Sequence, residues 1–457
     1  MKRVVILSFL LLSVAMLSAY PQGISQTGQK ALSNQSGPLD GGKEQNQLNI
    51  GLQMLNHGEM RYGGLDPSES VDEDIAKAYF VMQRSRLSIA YSRPGLEIKV
   101  TGQHSGVWGQ KGKGSFNLYE SWARLSKNGF FVQMGRQVLS YDDERIIGSN
   151  DWAMAALSHD VLRGGYEGYG HKAHFILGFN QNAENTYGGS YYTDGAQPYK
   201  ILLTGWYHYD FSKIPLGASV LFMDIGMQGG ELHGQGDEAP ANRFQQLFGG
   251  YLSYNPGPLR TEASYYRQSG RNEQDVKIDA WMASVKAQWT VSKALALTAG
   301  YDYLSGDKYF AVPGKGSIGL VQHDVIRGFS PVYGSHHKFY GMMDFFYVST
   351  YHSGFTPGLQ NLYAGASYSP ASSLNLKATY HYMAIATHLD AIERTLGHDF
   401  DMEASWQVMK DVRFSAGFSF MTGTDSMQRL KRADVDSRLS WGWFSLNITP
   451  QLFSAKW

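Results

Sequence analysis

The feature that most constrains this fold is a regular alternation of apolar and polar residues that recurs along most of the chain. In residues 280–289, AWMASVKAQW, the apolar side chains Trp281, Val285 and Trp289 share one parity and Lys286 has the other. Successive side chains of a β-strand point to opposite faces. A period of two therefore predicts strands that have one apolar face and one polar face.

These alternating segments are long enough to cross a membrane. A transmembrane strand needs about 9–11 tilted residues, with apolar side chains outward, polar side chains inward and aromatic residues at both interfaces. Aromatic residues flank several of the segments, as Trp281 and Trp289 do. Because only a closed sheet satisfies every backbone group within hydrocarbon, the sequence predicts an all-β, antiparallel transmembrane barrel.

The composition agrees with a chain whose surface largely meets lipid. Charged residues make up 18% of the sequence, below the roughly 25% of soluble domains, and aromatic residues make up 14%. The formal net charge is zero, which argues against nucleic acid as a partner. The chain has no cysteine, so an exported protein of this size must rely on backbone hydrogen bonds and packing instead of disulfides.

The N-terminus has the pattern of a secretory signal peptide. Lys2 and Arg3 precede an apolar run over 4–17, and small residues such as Ala19 follow it. The run is shorter than the roughly 20 residues of a membrane-spanning helix, so a retained anchor is the less favoured alternative. The predicted segments are a signal peptide (1–25), a periplasmic linker (26–46) and an outer-membrane barrel (47–457).

Short and long connections alternate between the strands. Turns such as Ser92–Gly95 and Asn255–Pro258 take few residues, whereas the stretches 182–199 and 305–358 are much longer. Outer-membrane barrels carry short periplasmic turns and long external loops. Counting strands between the connections predicts about 18, enough to enclose a water-filled lumen.

Several segments resemble the alginate-export family of outer-membrane barrels. They are LYESWARL (118–125), GRQVLSYDDERIIGSNDWA (135–153), SHDVL (158–162), FNQNAENTYG (179–188), YDYLSGD (301–307), YGSHHKFYGMMDFFYV (333–348) and LGHDFD (396–401). Each is weak alone, but they occur in matching order over nearly the whole mature chain. The resemblance implies a monomeric barrel of the predicted size for diffusion or export of a solute, with alginate as the namesake cargo.

Strand parity predicts which charged side chains line the lumen and the solute path. The predicted positions are Arg61, Arg84, Arg86, Glu120, Arg124, Arg136, Lys286, Asp302, Asp399, Asp401, Glu403 and Arg413. The two signs nearly balance, whereas the pore of the family's alginate porin is strongly cationic. A neutral or mixed solute is therefore as well supported as alginate.

Two arginines on one predicted strand are the clearest lumen cations. Arg84 and Arg86 are two residues apart, so their side chains point to the same face. They either form ion pairs across the wall with inward acids such as Glu59 or Glu120, or contact the solute.

Arg136 shares the parity of the apolar residues Phe130, Val132 and Met134, so strict alternation would place its side chain on the lipid-facing side. An arginine exposed to lipid at mid-membrane costs about 2–4 kcal/mol. We expect a bulge at Gly135 to turn Arg136 into the lumen. The alternative is a position high enough for the side chain to reach the membrane interface.

The stretch YDDERIIGSNDW concentrates Asp142, Asp143, Glu144 and Arg145 in a connection at the outer mouth. We favour an ion-pair cluster that locks this loop. Contact with a solute or with a bound cation is the next alternative, because carboxylate oxygens suit Ca²⁺. Catalysis is the least favoured, because no nucleophile or general base lies at a recognisable spacing.

The 305–358 connection is too long for a simple loop, so we expect it to fold over or into the pore as a constriction. Within it, His336, His337 and Asp344 raise the possibility of a metal site. Adjacent histidines on a strand would point to opposite faces, so polar loop residues are the favoured interpretation.

The sequence thus predicts an outer-membrane porin for passive transport of a hydrophilic solute, including an oligo- or polysaccharide such as alginate. Its expected partners are the lipid bilayer and the solute, and it is expected to be a monomer without a cofactor. The alternative is a surface adhesion or binding protein that uses the barrel as an anchor. An enzyme is not predicted.

Overall fold

The computed structural model describes residues 45–63, 77–112, 114–180, 199–229, 241–307, 325–346, 356–389, 392–431 and 439–457. The predicted signal peptide and most of the predicted linker lie outside these residues. Across these ranges, no helix is both long enough and apolar enough to cross a membrane.

Nearly all regular structure in the described ranges is β-strand. The strands are β1 (Gln47–Tyr62), β2 (Lys77–Arg93), β3 (Leu96–Val107), β4 (Ser115–Lys127), β5 (Phe130–Gln137), β6 (His159–Gly168), β7 (His171–Phe179), β8 (Ile201–Asp210), β9 (Leu216–Gly229), β10 (Ala241–Tyr254), β11 (Leu259–Arg271), β12 (Lys277–Thr290), β13 (Leu295–Leu304), β14 (Val325–Ile326), β15 (Leu359–Ala371), β16 (Leu374–Ala384), β17 (Thr395–Met409), β18 (Val412–Gly423), β19 (Leu439–Ile448) and β20 (Gln451–Lys456). One helix, α1 (Asp425–Lys431), and a 3₁₀ turn, His336–Lys338, accompany them.

The strands form one closed antiparallel barrel. Each wall strand pairs with its neighbour along the chain, and β1 closes the sheet by pairing with both β19 and β20. β19 and β20 are two halves of a single wall strand, and the two-residue β14 only adds to the start of β12. The wall therefore has 18 strands, which confirms the predicted fold and size.

The faces of the wall follow the predicted alternation. On β5, Phe130, Val132 and Met134 are 65%, 51% and 69% exposed, whereas Phe131 and Gln133 between them are each 3% exposed. Apolar side chains thus cover the outside, where lipid replaces water, and polar side chains face the lumen.

The last wall strand changes phase at Pro450. Proline has no backbone N–H, so the ladder with β1 is interrupted there, and Leu52 instead donates its N–H to the Pro450 carbonyl at 3.0 Å. The register with β1 then slips by one residue between Ile50 and Gly51. The chain end is tied down by reciprocal backbone hydrogen bonds between Asn46 and Trp457.

Tight hairpins close the end of the barrel that carries the short turns, which is the periplasmic end in this class of protein. Between β4 and β5, Asn128 and Gly129 have φ values of 52° and 83°. A hairpin with positive φ at both central residues matches the twist of its strands, and Asn-Gly is the sequence that adopts it most readily.

Two connections at the opposite end turn back into the barrel. We call residues 138–158 inward segment 1 and residues 325–346 inward segment 2. Large side chains of both are almost fully buried within the lumen, among them Leu139, Ile147 and Tyr340 at 0%, 1% and 1% exposure. The predicted constriction by the 305–358 connection thus has a described counterpart in inward segment 2, and residues 308–324 and 347–355 lie outside the described part.

Candidate functional site

Inward segment 1 is held on β2 by the two arginines that the sequence singled out. Arg84 donates to the Asp151 and Ala153 carbonyls at 3.0 and 3.1 Å, and to the Asp151 carboxylate at 3.2 Å. Arg86 donates to the other Asp151 oxygen at 2.7 Å and lies 3.8 Å from the ring centre of Tyr119. Both arginines therefore bind inward segment 1, whereas the sequence left open ion pairs with Glu59 or Glu120 and contact with the solute.

Arg145 connects both inward segments to the wall. Its guanidinium, 4% exposed, lies 3.2 Å from Asp143 in its own segment and 3.1 Å from Asp302 on β13. It also donates to the Tyr340 hydroxyl of inward segment 2 at 2.9 Å and packs 4.1 Å from the ring centre of Phe339. Burial alone would lower the pKa of Arg145, but the Asp302 carboxylate holds it well above its usual value. One charged side chain thus joins three elements.

The carboxylates next to Arg145 in the sequence also connect inward segment 1 to the wall and to inward segment 2. Asp142 accepts hydrogen bonds from Ser219 of β9 at 2.5 Å and from the Trp206 indole of β8 at 3.1 Å. Burial raises the pKa of Asp142. Glu144 accepts from Ser335 and pairs with Lys338 of inward segment 2. Burial opposes ionisation of Glu144, but these hydrogen bonds lower its pKa overall.

Aromatic rings pack between inward segment 1 and inward segment 2. Trp152 stacks on His337, with centroids 3.9 Å apart and an interplanar angle of 7°, and meets Trp443 of β19 edge-on at 4.8 Å. His337 in turn lies 3.0 Å from Asp344. Within the described ranges, no group of three or more His, Cys, Asp or Glu side chains is arranged to hold a metal ion.

Two carboxylates of β17 hold a turn of inward segment 2. Asp401 accepts from the Met342 backbone N–H at 3.0 Å and from Ser419 at 2.5 Å. Gly341 has φ of 87°, and a Cβ built on it would lie 2.3 Å from the Asp399 carboxylate. Only glycine allows this close approach with this backbone conformation. Asp399 and Asp401 are 2% and 3% exposed, so they contact the segment and not open water.

The wall nearer the periplasm carries charged pairs between residues of the wall itself. Lys99 lies 2.5 Å from Glu120, and Arg124 lies 3.1 Å from Glu167. Further round, Glu262 pairs with Lys286 and with Arg260, whose side chains are 38% and 52% exposed. These pairs run along the wall. Their lysine and arginine side chains are 16–52% exposed, whereas Glu120 and Glu262 are buried beside them.

The remaining predicted positions also face the lumen. Arg61 pairs with Glu59 at 2.8 Å and lies 5.0 Å from the ring centre of Trp441. Glu403 lies opposite Lys377 in the register of β16 and β17. Arg413, at the periplasmic end of β18, donates to Gln407 at 3.3 Å.

The prediction for Arg136 is wrong. The register of β5 with β4 and β6 is unbroken through Gly135, so Arg136 stays on the outward face with Met134. It is neutralised there by Asp160, directly opposite on β6, through two contacts of 2.7 Å. The bulge lies instead on β4, where Tyr119 has no partner in the register with β3. A local counter-charge makes the outward position tolerable without a bulge.

Sequence reasoning also missed the role of Arg145 as a link between segments. The signal was present in the adjacent acids, but its partners Asp302 and Tyr340 are 157 and 195 positions away. Only the closure of the barrel brings such distant residues together.

Comparisons with known proteins agree with the barrel fold described above. A family model described as alginate export matches residues 109–405. Among solved structures, OpdL of Pseudomonas aeruginosa aligns over 89% of this chain and 99% of its own, with 13% identity and a TM-score of 0.59. OccK9 (OpdG) of the same organism gives 12% identity, 89% and 98% coverage and a TM-score of 0.60.

A third solved structure, a BenF-like porin of Pseudomonas fluorescens, aligns with 12% identity and a TM-score of 0.57, covering 89% of this chain and 99% of its own. At these identities the likeness shows the shared barrel alone. A search of curated proteins found no significant match.

Proposed function

Because this chain belongs to the alginate export family, we propose that it is a monomeric channel that lets a hydrophilic solute diffuse through the outer membrane. The observation that carries the proposal is the closed wall of 18 strands, with apolar side chains outside and charged side chains inside. A wall of this size leaves room for an aqueous channel.

An oligosaccharide is the solute class that we favour. The family name supports alginate. The lumen, however, carries acids such as Glu120, Glu262 and Glu403 beside its cations, so the proposal covers neutral sugars as well. A lumen with charges of both signs and partly open ion pairs offers many hydrogen-bond donors and acceptors to sugar hydroxyls.

The inward segments narrow the path through the lumen. They contact the wall at β2, at β8 and β9, at β13 and at β17, through Arg84, Asp142, Arg145 and Asp401. A solute must pass beside this packed unit, which favours slender molecules over folded ones. The alternative, a surface-binding protein that uses the barrel only as an anchor, requires a lumen closed to ions.

The proposal is tested by measuring ionic current through the protein. The purified full-length chain is inserted into planar bilayers, and its conductance and its reversal potential in a KCl gradient are measured. We expect discrete conductance steps and a reversal potential close to zero, because lumen charges of both signs give weak ion selectivity. Folded protein that conducts at no voltage would contradict the proposal and favour the anchor.

Solute range is measured separately by swelling of liposomes that contain the protein. Neutral oligosaccharides of increasing length and alginate oligosaccharides are compared at equal osmolarity. Swelling with both would support a sugar channel. Swelling with small ions and amino acids alone would exclude an oligosaccharide.

A further inference from the structure

Trp122 on β4 faces the lumen, opposite Lys99 on one side and Gly135 on the other. It lies opposite Lys99 in the register of β3 and β4, while its neighbour Ala123 lies opposite the outward-facing Ile98. Gln103, which donates to the Ala155 carbonyl of inward segment 1, is four residues farther along β3. Four residues of strand span roughly 13 Å, so Trp122 lies well to the periplasmic side of that contact.

The indole of Trp122 is left partly open, unlike other tryptophans of the inner wall. Trp206, Trp441 and Trp443 are 8%, 1% and 5% exposed beneath the inward segments. Trp122 is only partly buried. In the portion of the chain that the structure describes, its ring stacks on no other aromatic ring.

The neighbouring strand position also leaves space beside the indole. Gly135 of β5 lies opposite Trp122, with φ of 119°. A Cβ at this position would lie 2.2 Å from the Ser121 carbonyl oxygen and 3.0 Å from the Trp122 Cα. A side chain is therefore excluded at the β5 position directly opposite Trp122.

Hydrogen-bonding groups surround the ring. Glu120 accepts from the Trp122 indole N–H at 3.1 Å, which fixes the ring, and also pairs with Lys99. Arg124, two residues along β4, points to the same side. On the next strands, Arg163 donates to Gln133 at 2.7 Å. Charged groups of both signs thus lie beside the ring along β3 and β4.

We propose that Trp122 is a sugar-binding position in the channel, an inference that rests on the proposed function. A pyranose ring has a face of C–H groups and a rim of hydroxyls. The indole receives the C–H face through dispersion and the electron density of its ring. Lys99 and Arg124, whose side chains are 22% and 16% exposed, hydrogen-bond the hydroxyls, and charge-assisted hydrogen bonds of this kind are the stronger ones.

A single open ring suits a channel better than a deep pocket. Transport requires binding that is favourable enough for entry and weak enough for release. Trp122 offers one stacking face with polar groups on strands β3 and β4, so a bound sugar remains exposed to water and can step onward.

The experiment uses single channels of the full chain in planar bilayers, with a neutral glucose hexasaccharide or an alginate hexasaccharide added on the periplasmic side. We expect each sugar to interrupt the current briefly. Trp122→Ala should shorten the interruptions about three- to tenfold, the loss expected for one aromatic contact, and Trp122→Phe should keep most of their length. Trp289→Ala, an outward-facing control that is 53% exposed, should leave them unchanged.

Equal interruption times for Trp122→Ala and the wild type would overturn the inference, as would a conducting channel that neither sugar interrupts. Interruption by the acidic sugar alone and independent of Trp122 would assign recognition to the cations instead, and would also overturn it. The heat-dependent mobility of the barrel on gels verifies that each variant is folded.

A second measurement separates this inference from the channel itself. Binding of fluorescently labelled hexasaccharides to the detergent-solubilised protein is compared between the wild type and Trp122→Ala. Binding that falls in the variant supports the sugar position even if the protein conducts no current, a result that contradicts only the proposed channel. Binding that does not depend on Trp122 overturns the sugar position even if conductance is normal.

Discussion

The outer and periplasmic halves of the lumen use the same charged residue types in different ways. In the outer half, buried arginines join separate elements. Arg84 and Arg145 are 1% and 4% exposed, and both bind the inward segments. In the periplasmic half, pairs such as Arg260 with Glu262 lie along the wall, with the cation 52% exposed. Burial is what distinguishes a structural ion pair from a lumen surface available to a solute.

The exposure of an ion pair determines how much stability is lost when one partner is removed. Removing one partner of a buried pair leaves an uncompensated charge and costs about 3–5 kcal/mol, whereas an exposed pair contributes about 0–1 kcal/mol. Substitutions in the outer half should therefore release the inward segments. Matched substitutions in the periplasmic half should leave them in place.

The largest effect is expected for Arg145→Met. The substitution leaves Asp302 buried without its cation and should destabilise the packed inward segments locally by about 3–5 kcal/mol. We expect higher conductance and faster protease cleavage within residues 138–158. Arg413→Met, in the periplasmic half, is the control and should change neither. Equal protease resistance of Arg145→Met and the wild type would remove the proposed difference between the halves.

A smaller effect is expected for Asp151→Ala. Arg84 and Arg86 lose a carboxylate, but Arg84 keeps the Asp151 and Ala153 backbone carbonyls. The loss of stability should lie near the lower end of about 1–3 kcal/mol, because Asp151 is partly exposed. Hydrogen exchange of the amides over 149–156 should accelerate. Asp151→Asn retains an oxygen acceptor, so its exchange should lie between those of the wild type and Asp151→Ala.

The docking of α1 should depend on pH. Lys431 is 2% exposed and donates to the Phe345 carbonyl of inward segment 2. Burial lowers its pKa from 10.5 to about 7. The unfolded state therefore binds more protons between these values, so the stability of docking rises with pH across this window and is lost as pH falls through about 7.

Hydrogen exchange of α1 should accordingly be slower at pH 9 than at pH 6, after correction for the intrinsic pH dependence of exchange. Lys431→Met keeps the apolar stem without the titrating group, so its corrected exchange should not vary with pH. A pH dependence that persists in Lys431→Met would assign the effect to another group.

The smallest effect is expected for the outward pair of Arg136 and Asp160. Both side chains are more than a third exposed, and the pair lies on the lipid-facing side of the wall. The double variant Arg136→Gln with Asp160→Asn removes both charges together, so neither is left uncompensated. Barrel stability should change by only about 1 kcal/mol, and conductance should not change. A clear change in ion selectivity would indicate that Arg136 reaches the lumen after all.

Prediction succeeded where the physical rule is local. Trp281, Val285 and Lys286 could be assigned to faces because a strand alternates its side chains, and a closed sheet converts alternation into outside and inside. Prediction failed for Arg136, because the choice between a bulge and an outward ion pair depends on Asp160, a residue of the next strand. The sequence holds both residues, but nothing in it states that they are opposite each other.

The sequence by itself determined the wall: its period, its strand count and the apolar face that meets lipid follow from contacts between near neighbours. Only the tertiary structure decided what fills the lumen. Arg145 lies among Asp143, Asp302 and Tyr340 because barrel closure brings distant connections into one small volume. Periodicity records which face a side chain occupies. It carries no information about which distant chain segment will cover that face.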